Sequence, residues 1–255
     1  MLSVAYEGGG FHGFALQPHH RTVAGELLGA LRAIDPQIRE VRGASRTDAG
    51  VHARDQRVAF DPTRDYPLTA WMQGAQKHLP DTISIRAAWY VDQGFSPRMA
   101  SRQKTYRYLL LVDGTRDPFM VGRAWRVPEL AAAGALELMA EEARAAIGHH
   151  DFAAFRGAAD QRVVTVRTLS DVSVRRLDGD ARMLAIDVTG NGFLFNMVRI
   201  LVGAIVDVGR GRKQPGAVAR GLASKDRRDL GITAPPEGLY LERYRLDGDE
   251  TRQGP

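Results

Sequence analysis

Apolar and polar positions alternate at several places along the chain, and each alternation predicts a strand. Leu2, Val4 and Tyr6 share one face of a first strand, and Gly8-Gly9-Gly10 then forms a turn. Thr22 stands where an N-cap belongs, before a helix whose apolar face is Val23, Leu27, Leu31 and Ile34. Residues 57–60 form another strand. Leu68, Trp71, Met72, Ala75 and Leu79 recur at helical spacing until Pro80 stops the helix. Ile83, Ile85, Ala87, Trp89 and Val91 alternate along a long strand. The first half therefore reads β-α-β-α-β.

Residues 94–97 break the pattern. The expected division is 1–97, 98–247 and a polar tail at 248–255. In the second part, 104–112 is a strand and 129–147 is an Ala- and Glu-rich helix, with Pro128 near its first turn. Two strands flank the hairpin turn Asp178-Gly179-Asp180, and Leu184, Ile186 and Val188 alternate on the second of them. A very apolar helix follows over 196–208, then a shorter basic one over 214–223 and a last strand over 238–244. Both halves mix strands and helices in a similar order. Hairpin turns favour a largely antiparallel α+β arrangement over a doubly wound sheet.

Composition changes this picture mainly through charge. The net charge is +5, and 31 of the 35 basic residues are arginine. Arginine's planar fork suits phosphates and base edges, so the balance suits a polyanionic partner, although a GC-rich genome would also enrich arginine. The chain has no cysteine, which excludes disulfides, thiol nucleophiles and Cys-ligated zinc. The opening residues are too short and unflanked for a signal peptide, and no run approaches the roughly 18 apolar residues of a membrane span. A cytoplasmic protein with no membrane partner is the expectation.

Three stretches can carry chemistry. The first is Ser45-Arg46-Thr47-Asp48-Ala49-Gly50-Val51-His52-Ala53. Its small residues and Gly50 let the backbone turn sharply, with Asp48 at the tip and Arg46 beside it. An aspartate in a turn commonly bonds its own backbone, which is the plainer reading. The second stretch runs from Gly190 into the apolar helix, where Asn196, Arg199, Gly203 and Arg210 share one side. Arg199 either reaches out to water or, if buried, needs a carboxylate that it would hold ionised. The third is Lys104-Thr105-Tyr106-Arg107-Tyr108, with Tyr106 and Tyr108 on one strand face. Rings on a sheet face either fill a core or stack RNA bases. The histidines do not have helical metal spacing, and neither a nucleophile elbow nor a phosphate loop is present.

Together these stretches resemble the tRNA pseudouridine synthase A family. Arg46 to His52 is similar to that family's catalytic loop, Gly192-Phe193-Leu194 and Met197-Val198-Arg199 to its later signature, and Tyr106 to its strand tyrosine. Thr22-Val23, Leu79-Pro80, Phe95 to Arg98, His150-Asp151-Phe152 with Phe155, and Ala234-Pro235-Pro236 to Leu241 follow in order, so the resemblance spans nearly the whole chain. It implies two similar α/β halves around a continuous, largely antiparallel sheet with a basic RNA-binding cleft. It also implies a homodimer, tRNA as partner and no metal or organic cofactor. The implied reaction is isomerisation of uridine to pseudouridine at positions 38 to 40 of the tRNA anticodon stem-loop.

By the same resemblance Asp48 is the nucleophile, whether toward the ribose anomeric carbon, toward the uracil ring or by a route through a glycal. Arg199 pairs with it, Tyr106 stacks on the flipped uracil, Arg46 displaces the target base, and Leu239 and Leu241 contact substrate. Flipping is needed because a stacked base is out of reach, at a cost of a few kcal/mol. The chain departs from the family at Gly13-Phe14-Ala15-Leu16-Gln17, Ser45, Gln76 and Thr82, none of them a catalytic position. A synthase acting on another RNA and a non-catalytic tRNA-binding protein of this fold are the competing readings.

Overall fold

In the computed structural model, which describes residues 1–247, the fold is mixed α/β with a large, mostly antiparallel sheet of ten strands. The polar tail expected at 248–255 lies outside the described residues. The strands are β1 (Leu2–Tyr6), β2 (Arg42–Gly43), β3 (His52–Ala59), β4 (Ile83–Ala88), β5 (Ser101–Leu111), β6 (Trp125–Arg126), β7 (Gly148–Asp151), β8 (Val166–Leu177), β9 (Asp180–Gly190) and β10 (Leu239–Leu246). The α-helices are α1 (Val23–Arg32), α2 (Ala135–Arg144), α3 (Met197–Gly209) and α4 (Ala217–Ser224).

Contacts divide the chain into two compact units. One holds 1–103 and resumes at Tyr240, and the other is Lys104–Leu239. The sequence pattern places the division at 97 and leaves the last strand with the second half. The last strand joins the first unit because Tyr240 and Leu241 pair in parallel with His52 and Ala53.

In the first unit the strand order is β4-β1-β3-β10, with β2 on β3. β1 pairs antiparallel with both β3 and β4, so its apolar residues are covered and Leu2, Val4 and Tyr6 are buried. Thr22 caps α1 as expected, its hydroxyl accepting from Gly25 N–H at 3.2 Å. Val23, Leu27 and Leu31 are buried, whereas Ile34 lies beyond the helix end. The helix expected around Trp71 contains a π turn over Ala70–Gly74, with the Trp71 ring edge-on to Phe60 at 5.1 Å.

In the second unit the order is β5-β9-β8-β7, with β6 parallel to β5. The β8–β9 hairpin turns at Gly179, whose φ of +86° explains the glycine. The single helix expected over 129–147 is instead a 3-10 turn, Pro128–Ala131, followed by α2. Gly134 at φ +80° separates them. α3 is buried almost all round, as its composition predicts, and packs on α2 and α4.

Candidate active site

The Asp48 turn is held from three sides within the first unit. From β1, the Tyr6 hydroxyl meets Thr47 Oγ1 at 2.6 Å. From β3, the fully buried Gln56 clasps the start of the turn, its Oε1 accepting from Ser45 N–H at 3.1 Å and its Nε2 donating to Ser45 O at 2.7 Å. From the segment after β1, Phe14 N–H donates to Thr47 O and Gly50 N–H to Phe11 O. Val51 N–H closes the turn on Asp48 O at 3.1 Å, and Gly50 has a φ of +78°. Asp48 is half-buried at the tip while Arg46 and Ala49 are exposed. A carboxylate fixed by its backbone frame in this way is preorganised, because no loop must order itself before the side chain is in place.

Glycines let the frame close. At Gly13, φ is +88° and an added Cβ would stand 2.7 Å from Thr47 O. A Cβ at Gly8 would overlap Val51 O, and the Gly8 N–H donates to His52 Nδ1 at 3.0 Å. His52, the last motif residue, is buried and its ring stacks on Tyr240 at 4.5 Å, so it supports the turn from β3 and β10. Tyr244 donates its hydroxyl to Ala44 O at 3.0 Å, and burial pushes its phenol up to about 12, which keeps it a donor. Leu241 is 0% exposed and fills the core beside Ala53.

The second unit places Tyr106 on β5, 7% exposed, with the Phe193 ring edge-on at 5.2 Å. Arg199 lies in the first turn of α3 and is half-buried. Its Nε donates to Ala234 O at 2.7 Å and its Nη1 to Asn196 Oδ1 at 3.0 Å. Carbonyl and amide oxygens thus satisfy part of the guanidinium inside this unit, and Nη2 makes no hydrogen bond among the described residues. Gly203, one turn further along, lets 232–234 approach α3 so closely that a Cβ would overlap Ile232 O. Of the four residues expected on one side of this helix, Arg210 turns away to Asp207 and the Trp125 ring. Tyr108 donates to Pro235 O at 2.7 Å, and burial raises its pKa far above the ordinary phenol range. Leu239 is 5% exposed, a core residue beside Gly238, which packs on the Tyr108 ring.

Among the described residues no group of three or more His, Asp or Glu could hold a metal ion, and no helix is long and apolar enough to cross a membrane. Residues 143–247 match the tRNA pseudouridine synthase family. The chain is 39% identical over 247 residues to tRNA pseudouridine synthase A of Geobacter sulfurreducens, covering 96% of this chain and 98% of that one. It is 36% identical over 250 residues to tRNA pseudouridine synthase A of Staphylococcus aureus, covering 98% and 92%. The chain belongs to the tRNA pseudouridine synthase A family. A solved Cbf5–Nop10–Gar1 complex aligns over 96% of this chain and 58% of that one at 11% identity, with a TM-score of 0.36, too low to add to the fold.

Members of the tRNA pseudouridine synthase A family are isomerases, and that sets which residues matter. The motif residues Arg46, Asp48, Tyr106 and Arg199 stand out in the sequence. The frame around them does not. Tyr6, Phe14 and Gln56 hold the Asp48 turn together with the motif's own Thr47, and of these three Gln56, a polar residue at an inward position of a strand, leaves a signal. Gln76, one of the departures from the resembled pattern, has a structural task here. Its Nε2 donates to Ile83 O at 2.9 Å and its Oε1 accepts from Ile85 N–H at 2.8 Å, fixing β4.

Proposed function

We propose that this chain isomerises uridine to pseudouridine in tRNA, in the anticodon stem-loop at positions 38 to 40, with Asp48 as the nucleophile. The observation that carries the reading is the Arg46 to His52 motif presented on a turn locked by Tyr6, Phe14 and Gln56. Such a frame suits a residue that must act on one atom of a bound nucleotide.

Asp48 attacks the ribose anomeric carbon or the uracil ring, and the bond from uracil N1 to the ribose breaks. The freed uracil turns and bonds to the ribose through C5 as Asp48 leaves, and the proton lost from C5 is balanced by one taken up at N1. A carboxylate can serve as the nucleophile in this step because it is ionised at neutral pH. Tyr106 supplies a ring face for the extruded base, held in orientation by Phe193. Arg199, half-buried at the start of α3, supplies positive charge that would hold a nearby carboxylate ionised. Arg46, exposed beside the nucleophile, is placed to fill the gap left by the flipped base and to meet phosphates. Leu239 and Leu241, 5% and 0% exposed, are core residues of β10, so the substrate contact implied for them is not part of this reading. The protein acts in the cytoplasm as a homodimer.

Tritium release from tRNA labelled at uracil C5 tests the assignment. Wild-type protein releases label to water. Asp48→Asn releases none, while its tRNA affinity stays within about threefold, since an amide keeps the shape and loses only the nucleophile. Near wild-type release by this variant would refute Asp48 as nucleophile. Tight binding without release by the wild type would favour a non-catalytic binder.

A further inference from the structure

Tyr106 and Arg199 are far apart in sequence, yet one short segment of the second unit touches both. The Phe193 ring packs edge-on against Tyr106, and Asn196 Oδ1 accepts from Arg199 Nη1 at 3.0 Å. Only two residues separate Phe193 from Asn196. Asn196 has a φ of +59°, an uncommon conformation that must be held in place by its neighbours.

The other side of this segment is tied to the loop at 157–162. Gly157 N–H donates to Phe195 O at 2.8 Å. Phe195 N–H donates to Asp160 Oδ2 at 2.8 Å, and Arg162 Nη1 donates to Phe193 O at 2.9 Å. Asp160 and Arg162 are themselves locked together. Arg162 Nε lies 2.8 Å from Oδ1 and 3.0 Å from Oδ2, Nη2 lies 2.5 Å from Oδ2, and Arg162 N–H donates to Oδ1 at 3.0 Å. The carboxylate is 3% exposed although its arginine partner is 44% exposed. A Cβ at Gly157 would stand 2.7 Å from the Phe195 ring and 3.1 Å from Asn196 Nδ2, so loop and segment are in full contact.

We propose that Asp160, with Arg162, is a positioning residue for the reaction, setting Tyr106 and Arg199 through the 193–196 segment. This rests on the reading of Tyr106 and Arg199 as pocket residues. Asp160 reaches neither of them directly. It fixes the backbone at Phe195, midway between the residue that orients the ring and the residue that orients the guanidinium. Without this tie, Phe193 and Asn196 can shift by a fraction of an ångström, and a misplacement of about 1 Å can cost on the order of 100-fold in rate. The loop lies at the surface and its ion pair belongs to no larger core. Its loss is therefore expected to disturb turnover more than folding.

The test compares Asp160→Ala, Asp160→Asn and Arg162→Gln in the full-length protein by single-turnover tritium release from C5-labelled tRNA. Tyr106→Leu, which removes the ring, and Arg199→Lys are run alongside. Asp160→Ala should lower the rate at saturating enzyme by about 10- to 100-fold. Asp160→Asn, which keeps an oxygen for Phe195 N–H, and Arg162→Gln should fall between it and wild type. For all three the concentration at half-maximal rate and the tRNA affinity should stay within about twofold of wild type, a split that general unfolding would not give. Wild-type rates for Asp160→Ala, with Tyr106→Leu and Arg199→Lys impaired, overturn the positioning role alone. Wild-type rates for Tyr106→Leu and Arg199→Lys overturn the reading of these two residues and this proposal with it. A loss of tRNA affinity equal to the loss of rate would make Asp160 and Arg162 part of the binding surface and would also overturn it.

Discussion

The chemistry is concentrated in single residues, but the positions that hold them are where substitution is most informative. Gly13 is an example. Its φ of +88° lies where an L side chain costs about 1–2 kcal/mol. A Cβ would also stand 2.7 Å from Thr47 O and 3.3 Å from Ala49 N, both in the Asp48 turn. Gly13→Ala must therefore strain its own backbone and push on the turn. The expected outcome is a melting temperature lower by about 5 °C, with turnover reduced well beyond any change in tRNA affinity. Calorimetry and tritium release check it, and unchanged values in both would show that the turn is not held as described. Much of this residue-scale picture was legible in the sequence. The string from Arg46 to His52 singles out Asp48, and the small residues around it mark a sharp turn. Gln56 and Tyr6 were not legible as supports, because their value lies in which groups they meet, the Ser45 backbone for Gln56 and the Thr47 hydroxyl for Tyr6. Those groups are set by the pairing of β1 with β3, not by local sequence. Arg199 shows the same limit. The sequence poses exposure or a carboxylate as its choices, and the structure adds oxygens of Ala234 and Asn196, the first of them 35 residues away.

Elements with strong periodicity or clear caps were legible, and those made by partners were not. α1 begins at its Thr22 cap, the 178–180 turn joins a hairpin, and α3 is buried apart from Arg199. β2, β6 and β7 have two to four residues each, too few for a period to show, and exist because a longer strand offers them hydrogen bonds. The long helix expected over 129–147 fails at Gly134, where an αL residue breaks the run. Short elements depend on side-chain ties, and β2 illustrates this. Arg42 spans from it to Asp61, with Nη1 at 2.7 Å from Oδ2 and Nη2 at 2.9 Å from Oδ1, and its Nε donates to Phe95 O at 3.1 Å. The Arg42 guanidinium lowers the Asp61 pKa, burial opposes it, and Gly94 N–H adds to the lowering. A carboxylate whose folded pKa is depressed contributes stability above its unfolded value, near 3.9, and loses it as pH falls through the folded value. Asp61→Asn should therefore melt below wild type at neutral pH, with the gap narrowing below about pH 4. Melting curves of both proteins across pH 2.5 to 7 check this, and a gap independent of pH would mean that Asp61 contributes by shape, not charge.

At the scale of the whole molecule, the question is how much of the positive charge reaches an RNA. The chain carries 31 arginines and a net charge of +5, which on its own fits either a polyanion partner or a biased genome. The structure shows that many arginines are engaged in the fold. Arg182 bonds Asp180, Asp113 and Asp117, Arg107 pairs with Asp187, and Arg210 is buried with Asp207. These neutralised cations cannot release counterions from a bound RNA, so the arginine count overstates the binding surface. Exposed Arg46, by contrast, stands two residues from Asp48 and is free of the ion pairs named above. Binding measured against salt counts the contacts that are made, because log K falls with log salt in proportion to the phosphates neutralised, with a slope of roughly −0.9 per contact on duplex. For 6–10 contacts, affinity for tRNA should drop by about 10³ to 10⁵ between 50 and 200 mM salt. Arg46→Gln should make the slope shallower by about 1 if the guanidinium meets a phosphate, and leave it unchanged if it only fills the space of the flipped base. A wild-type slope near zero would contradict an RNA partner altogether. A slope near that of 31 contacts would contradict the ion pairs seen within the fold.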